Sequence, residues 1–342
     1  MSLVPAPASG PSGGRADENG KRGPGMKIVI VGAGALGGFV GALLSEAGVD
    51  VTLYDVRADY VAKVAAEGLV IVPAAGQAKE YKPKIVSDLA GLGPADAVIV
   101  ATKAFHTKAA AAAAQPVIND STLVCSFQNG YGNLAVLEEV VGKPERIVAM
   151  TTAHNFAVTG DNKIAYFMGV GGVDLGYMKG PKDARLEELG ALMKNLKAPV
   201  KVHDDGHEVV WNKLLWNAVL NCTSAVTGMD VITMANIEHI LPVFKGLADE
   251  YFALSKALGM NVWNPPDFVD KIMMGAKMAA KIKTFSPPKP SMLQDMEAGR
   301  PTEVDFINGA LVRLGEEKGV AMPVNRTMMQ LVKTMEAHKT KA

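Results

Sequence analysis

The sequence has only two cysteines, Cys125 and Cys222, far apart and outside any C-x-x-C pairing. That excludes a disulfide framework and a multi-thiolate metal site. Neither sign of charge is in excess: 35 Lys plus Arg stand against 35 Asp plus Glu. Phosphate-backbone binding draws mainly on clustered positive charge, so no nucleic-acid partner is expected. A polybasic membrane anchor is missing too, and no apolar run approaches the roughly 20 residues of a spanning helix. The six histidines show no His-Glu-x-x-His or other ligand spacing, so no metal is expected. No segment repeats at a solenoid period. What is present is 342 residues of ordinary globular composition, 49% hydrophobic and 20% charged, long enough for two domains. The expectation is a soluble, cytoplasmic, two-domain protein.

Residues 1–25 are almost all Pro, Ala, Gly, Ser and charged types, too poor in apolar surface to offset ordering entropy, and read as disordered. They lack the apolar core of a secretory signal, and Asp17 and Glu18 disfavour a transit peptide. From Met26 the pattern alternates. Strand-like runs at Lys27–Val31, Val51–Tyr54, Asp96–Ala101, Thr122–Phe127 and Ile147–Met150 are separated by helical stretches, which indicates crossover units and a parallel sheet. Between Asn155 and Tyr177 short strands with Gly turns suggest an antiparallel extension. A helix over Asp183–Leu196 and a strand at Val200–Val202 follow. After Asp204 the reading is helical: His207–Val226, Ile237–Leu258, Pro266–Lys281 and Val304–Lys318, with Pro287, Pro288 and Pro290 as punctuation. The fold class is therefore α/β: an N-terminal Rossmann dinucleotide-binding domain, 26–204, followed by an all-helical C-terminal substrate and catalytic domain, 205–342.

Gly32-Ala33-Gly34-Ala35-Leu36-Gly37 follows the first strand and opens the first helix. The first glycine permits the tight turn, the second lets a pyrophosphate approach, and the third lets helix and strand pack closely. The helix N-terminus presents free N–H groups to the phosphates. Asp55 ends the second strand at about the expected spacing of roughly 20 residues. A carboxylate there accepts from both adenosine ribose hydroxyls and repels a 2′-phosphate, favouring NAD(H). Arg57, two residues on, is either a partner for a 2′-phosphate or a solvated loop charge.

In the apolar stretch His207–Val226, Lys213, Asn217 and Asn221 recur at i, i+4 and i+8 and so share one face. A buried lysine between two amides is costly unless it meets a ligand or a carboxylate; a solvated strip at the helix edge is the alternative. Ser291-Met-Leu-Gln-Asp295 and Thr302-Glu303-Val-Asp305 read by themselves as helix caps and first-turn charges. His106 reads as a helix-start residue, Cys222 as a small buried one, and the 18 methionines as adaptable core filler.

Taken together these motifs resemble the ketopantoate reductase (2-dehydropantoate 2-reductase) family over nearly the whole length from Met26. The matching positions are the glycine loop, Lys103 in Ala-Thr-Lys-Ala-Phe-His-Thr, Gln128-Asn129-Gly130, the Lys213/Asn217/Asn221 stripe, Ser291-Met-Leu-Gln-Asp, Thr302-Glu303-Val-Asp and Pro323. The resemblance implies that Lys213 is the general acid donating to the 2-oxo oxygen as hydride arrives from a nicotinamide. It implies that Glu303 contacts the cofactor and the reacting hydroxyl region and holds Lys213 in place. Asn217, Asn221 and Ser291 become substrate contacts, and Lys103 and Asn129 cofactor contacts. The implied partner is a small 2-oxo acid, with a homodimer as a compatible assembly. Two departures stand out. The family generally uses NADP(H), with a basic residue after the second strand where this chain has Asp55-Val56. After Thr227-Gly228 the family usually has a substrate-touching Asn-Gly, where this chain has Met229-Asp-Val-Ile-Thr. These suggest a paralogue acting on another 2-oxo acid, akin to NAD-dependent D-2-hydroxyacid dehydrogenases. A non-catalytic dinucleotide sensor and a methyltransferase-like protein binding S-adenosylmethionine are the rival readings.

Overall fold

The computed structural model describes residues 25–74, 76–167, 171–260, 262, 267–281 and 289–339. The segment expected to be disordered lies outside these except for Gly25, as do Pro287 and Pro288. The first part of the chain runs β1 (Ile28–Val31), α1 (Ala35–Glu46), β2 (Val51–Tyr54), α2 (Ala58–Glu67), β3 (Leu69–Pro73), β4 (Lys79–Tyr81), β5 (Lys84–Val86) and β6 (Ala97–Val100). It continues with α3 (Thr107–Ala114), β7 (Leu123–Ser126), α4 (Asn133–Val141), β8 (Ile147–Thr152), β9 (Asn155–Gly160), β10 (Lys163–Phe167), β11 (Val173–Tyr177), α5 (Ala184–Met193) and β12 (Val200–Val202).

Among the described residues the main sheet has the order β12-β11-β8-β7-β6-β1-β2-β5. The six strands from β5 to β8 pair in parallel, in the spatial arrangement of a doubly wound nucleotide-binding sheet. β1 (IVIV) and β6 (AVIV) are buried along their whole length, as central strands covered on both faces must be. The winding direction reverses between β1 and β6, which opens a crevice beyond their C-terminal ends, where ligands of such sheets bind.

The stretch 155–177 is antiparallel only in part. β9 and β10 form a hairpin, but β10 also pairs in parallel with β3, giving a separate sheet of order β4-β3-β10-β9. β11 then rejoins the main sheet antiparallel to β8. The reason is aromatic: Phe39 on α1 takes Phe156 and Tyr166 at ring-centroid separations of 4.9 and 4.8 Å. The small sheet is thus held over α1 rather than at the edge of the main sheet. Sequence reading missed β3, β4, β5 and α2, whose strands are short and in β4 largely exposed.

The second part is helical. It comprises α6 (Gly206–Trp216), a π turn (Asn217–Asn221), α7 (Cys222–Thr227), α8 (Val231–Ala235), α9 (Leu241–Ala257), α10 (Phe268–Ala279), α11 (Ser291–Glu297), α12 (Asn308–Lys318) and α13 (Pro323–Lys339). Trp211, Phe244, Tyr251 and Leu311 form its core, and the Tyr251 hydroxyl donates to the Trp211 carbonyl at 2.7 Å. The single helix expected over Val304–Lys318 is a short 3₁₀ turn (Val304–Phe306) and then α12, broken at Ile307. Likewise the expected Ile237–Leu258 helix starts as a 3₁₀ turn before α9.

Candidate active site

A cleft of 1930 Å³ runs between the two parts and is lined by residues of both. On one side lies the glycine loop. Gly32 has φ +100°, and a Cβ there would stand 2.7 Å from the Thr102 side chain. At Gly37 a Cβ would stand 1.9 Å from the Gly32 carbonyl oxygen, so only glycine lets α1 leave the strand so closely. Gly34 differs: a Cβ there would meet nothing within 4 Å. Neither the backbone nor the packing needs glycine at that position, and the space it leaves opens onto the cleft at the N-terminus of α1. That end carries no side-chain cap and no acidic first-turn residue. The loop therefore fits a dinucleotide pyrophosphate, which would fill that space and meet the free helix N–H groups.

Asp55, at the end of β2, is buried; its carboxylate accepts from the Ala33 N–H at 3.1 Å and takes a two-pronged pair from Arg57, Nε at 2.8 Å and Nη2 at 2.9 Å. Burial alone would raise the Asp55 pKa, but the Arg57 and Ala33 hydrogen bonds outweigh it and hold the group below the usual carboxylate range. Arg57 also lies over the Tyr60 ring, 4.3 Å from its centroid, and the Tyr60 hydroxyl donates to the Ala33 carbonyl. Arg57 is not simply a solvated loop charge: its guanidinium is engaged by Asp55, while its side chain stays 58% exposed and lines the cleft.

The opposite wall is the rod α6–π turn–α7, which is helical throughout but widens at Asn217–Asn221. Such π turns recur at functional sites because they re-aim side chains without breaking the helix. Here two side chains serve the widened turn. Asn308 Nδ2 donates to the Ala218 carbonyl at 3.0 Å, and Thr223 Oγ1 donates to the Val219 carbonyl at 2.7 Å. Lys213, Asn217 and Asn221 all line the cleft. Asn217 Nδ2 donates to Asn129 Oδ1 at 3.2 Å, and Asn221 Nδ2 reaches Ser291 Oγ at 3.5 Å.

Burial lowers the Lys213 pKa from 10.5 to about 8, and the Asp174 carboxylate partly opposes that shift. Asp174 lies on β11 and is held by His203, Nε2 to Oδ1 at 2.6 Å. His154, buried on the same side, has a lowered pKa, first from burial and then from the Lys213 charge, so it is neutral at pH 7 and adds no competing cation.

Lys103 and Glu303 both line the cleft and meet each other there. Glu303, expected to hold Lys213, accepts instead from the Ala104 N–H at 2.9 Å and lies 3.4 Å from Lys103 Nζ. Lys103 also pairs with Asp295, whose other oxygen accepts from Arg300 Nε at 3.0 Å. Burial alone would lower the Lys103 pKa, but the Glu303 and Asp295 carboxylates together raise it, so Lys103 is a fixed ammonium. This cross-link ties the end of β6 to α11 and to the segment before α12. The loop after β7 is fastened alongside: Tyr131 N–H donates to the Phe306 carbonyl at 2.7 Å, and a Cβ on Gly130 would stand 2.7 Å from that same oxygen. Gln128 bridges the two loops, donating to the Thr102 carbonyl and to Thr107 Oγ1.

Sequence reasoning missed Asp295, Arg300, Asp174 and His203. Asp295 stood inside a motif already quoted, and its signal was a carboxylate on an apolar helix. The other three carry no local signal, since their partners lie on separate elements or, for Arg300, across a turn. His106 begins α3 as its N-cap, and Cys222 is fully buried.

The comparisons agree with this two-part fold. The family model for ketopantoate reductase PanE/ApbA matches residues 28–180, and the model for the C-terminal part of the same family matches residues 206–336. The 2-dehydropantoate 2-reductase of Archaeoglobus fulgidus is 30% identical over 312 residues, covering 91% of this chain and 98% of its own. That of Halobacterium salinarum is 29% identical over 308 residues, covering 90% and 98%. The crystal structure of 2-dehydropantoate 2-reductase from Geobacter metallireducens aligns with a TM-score of 0.80 at 27% identity, over 90% of this chain and 99% of that one. The ternary structure of D-mandelate dehydrogenase with NADH and anilino(oxo)acetate shares the fold, with a TM-score of 0.81 at 24% identity over 92% of this chain and 99% of that one. With both parts of the chain matched and the glycine loop facing a lysine-bearing helix across one cleft, the chain belongs to the ketopantoate reductase family of oxidoreductases.

Proposed function

We propose that the protein reduces a 2-oxo acid, 2-dehydropantoate or a related branched acid, to the 2-hydroxy acid, with Lys213 as the general acid. The observation that carries this is Lys213 itself, a lysine lining the cleft opposite the glycine loop with its pKa lowered by burial to about 8. A bound reduced nicotinamide supplies the hydride to the carbonyl carbon. Lys213 Nζ polarises the 2-oxo oxygen and gives its proton to the forming alkoxide, a role suited to an acid whose pKa lies near the working pH. Asn217, Asn221 and Ser291 hold the substrate. Lys103, Asn129 and Glu303 meet the coenzyme, with Lys103 held by both Asp295 and Glu303.

Reduction needs Lys213 protonated, so kcat/KM falls as pH rises through about 8. Asp174 favours the ammonium form, so Asp174→Asn moves that basic limb to lower pH. A pH profile of the variant that coincides with wild type would remove Asp174 from the account.

Asp55 favours NAD(H), because its carboxylate suits a ribose diol and repels a 2′-phosphate. NADP(H), general in the family, is the second reading, and it is favoured by Arg57, whose side chain is 58% exposed beside Asp55. Asp55→Ala removes the repulsion and releases Arg57. It should raise the NADPH-to-NADH ratio of kcat/KM by about tenfold, equivalent to roughly 1.4 kcal/mol. Steady-state kinetics with both coenzymes reads this directly, and an unchanged ratio would show that Asp55 does not set the preference.

A further inference from the structure

Gly275 has no structural reason to be glycine. It sits inside α10 without a left-handed backbone angle, and a Cβ built on it would meet nothing within 4 Å. Glycine is a poorer helix former than alanine, so it weakens the helix there. Gly275 lines the cleft, beside Lys271 and Ile272 on the preceding turn and next to Ala276. The missing side chain therefore leaves the cleft wider at this point and does nothing else visible in the fold.

Lys271, one turn before Gly275, also lines the cleft and pairs with Asp267 at 3.0 Å, while the rest of the neighbouring wall is largely hydrocarbon among the described residues. α8 packs beside α10, and its Val231 and Ile232 also line the cleft. This is the stretch where the family's substrate-touching Asn-Gly is replaced. The carboxylate that came with the replacement is spent on its own helix: Asp230 accepts from the Ile232 and Thr233 N–H groups at 2.8 and 3.0 Å and from Thr233 Oγ1 at 2.7 Å. Trp216, one turn beyond Lys213, meets Phe268 edge-on at 5.1 Å and adds an aromatic boundary.

We propose that the α8–α10 end of the cleft is the side-chain subsite of the substrate, that it takes a bulky apolar 2-oxo acid, branched or aromatic, and that Gly275 sets the size it admits. This rests on the 2-oxo acid reductase reading above and narrows it. A hydrocarbon side chain gains from burial against Ile232 and Ile272. A substrate with a side-chain hydroxyl, as in 2-dehydropantoate, would lose water there, where the charged group beside Gly275, Lys271, is already paired with Asp267.

The test is steady-state reduction of pyruvate, 4-methyl-2-oxopentanoate, phenylglyoxylate and 2-dehydropantoate, with NADH and with NADPH, by the wild-type protein, G275A and G275L. The expected result is a kcat/KM for the two bulky acids at least about tenfold above that for 2-dehydropantoate, with G275L lowering the bulky-to-pyruvate ratio by about tenfold or more, since one methylene in an apolar pocket is worth that much. Alanine and leucine are better helix formers than glycine, so neither variant should melt below wild type, which separates a filled subsite from a damaged fold. If 2-dehydropantoate is the best acid, or if G275L leaves the ratio unchanged, the subsite is overturned and the reductase reading stands. If no acid is reduced with either coenzyme, the reductase reading falls and takes the subsite with it.

Discussion

Lys213→Ala abolishes turnover, lowering kcat by about 10²–10⁴-fold, the usual worth of a positioned general acid, while coenzyme affinity stays within about twofold because the coenzyme does not depend on this group. The loss follows from the geometry. Lys213 faces a cleft in which His154 is neutral and Lys103 is already committed to two carboxylates, so neither neighbour can take over as proton donor. The same variant should fold well. Asp174, the carboxylate acting on Lys213, remains paired with His203. Stability should in fact rise. A lysine whose pKa is about 8 in the folded chain and 10.5 in the unfolded chain binds its proton less well when folded. Its penalty is fully present below pH 8, fades between pH 8 and 10.5, and is gone above. By linkage that penalty is on the order of 3 kcal/mol at neutral pH. Lys213→Met, which keeps the apolar stem, should therefore melt higher than wild type at pH 7 and show no such gain at alkaline pH. A Lys213 variant that turns over normally would end its assignment as the acid.

The second large effect separates two glycines three residues apart. Gly37→Ala drives a methyl group into the Gly32 carbonyl, with the Cβ at 1.9 Å from that oxygen before relaxation. α1 must shift against the sheet, with an expected cost of about 3 kcal/mol or more. Gly34→Ala meets no protein atom within 4 Å, so its melting temperature should not fall. Its methyl group takes space where the pyrophosphate would sit, and coenzyme affinity should drop by about tenfold or more, roughly 1.4 kcal/mol or above. Calorimetric melting and coenzyme titration of the two variants resolve the pair. If Gly34→Ala binds both coenzymes as wild type does, the loop does not cradle the phosphates in the way proposed.

The parts of this fold legible in the sequence are those whose signal is local. β1 is a run of apolar residues between a charged residue and a glycine loop, and the reversal into α1 is dictated by residues within six positions of one another. The Lys213/Asn217/Asn221 stripe was visible because helical spacing places these residues on one face whatever surrounds them. The π turn was not visible, because it is stabilised by Asn308, which lies 90 positions from the Ala218 carbonyl that it serves. The ion pairs were hidden for the same reason: Lys103 meets Asp295 across 192 positions and Glu303 across 200. Read locally, Glu303 is a first-turn charge and Lys103 a loop lysine. Only the folded chain shows that they clamp each other, and that the carboxylate acting on Lys213 comes from β11. β3, β4 and β5 escaped because strands of three to five residues with exposed positions carry too little alternation to stand out.

The reading proposed for this cleft, reduction of a 2-oxo acid with Lys213 as proton donor, stands or falls on turnover. The most direct test is to follow nicotinamide absorbance as the wild-type protein meets each 2-oxo acid in turn with NADH or NADPH, across a range of pH. Coenzyme oxidation should depend on the acid, yield the 2-hydroxy acid, and decline as pH rises through about 8. Coenzyme that binds tightly yet is never oxidised by any 2-oxo acid would contradict it and leave a dinucleotide-binding protein without this chemistry.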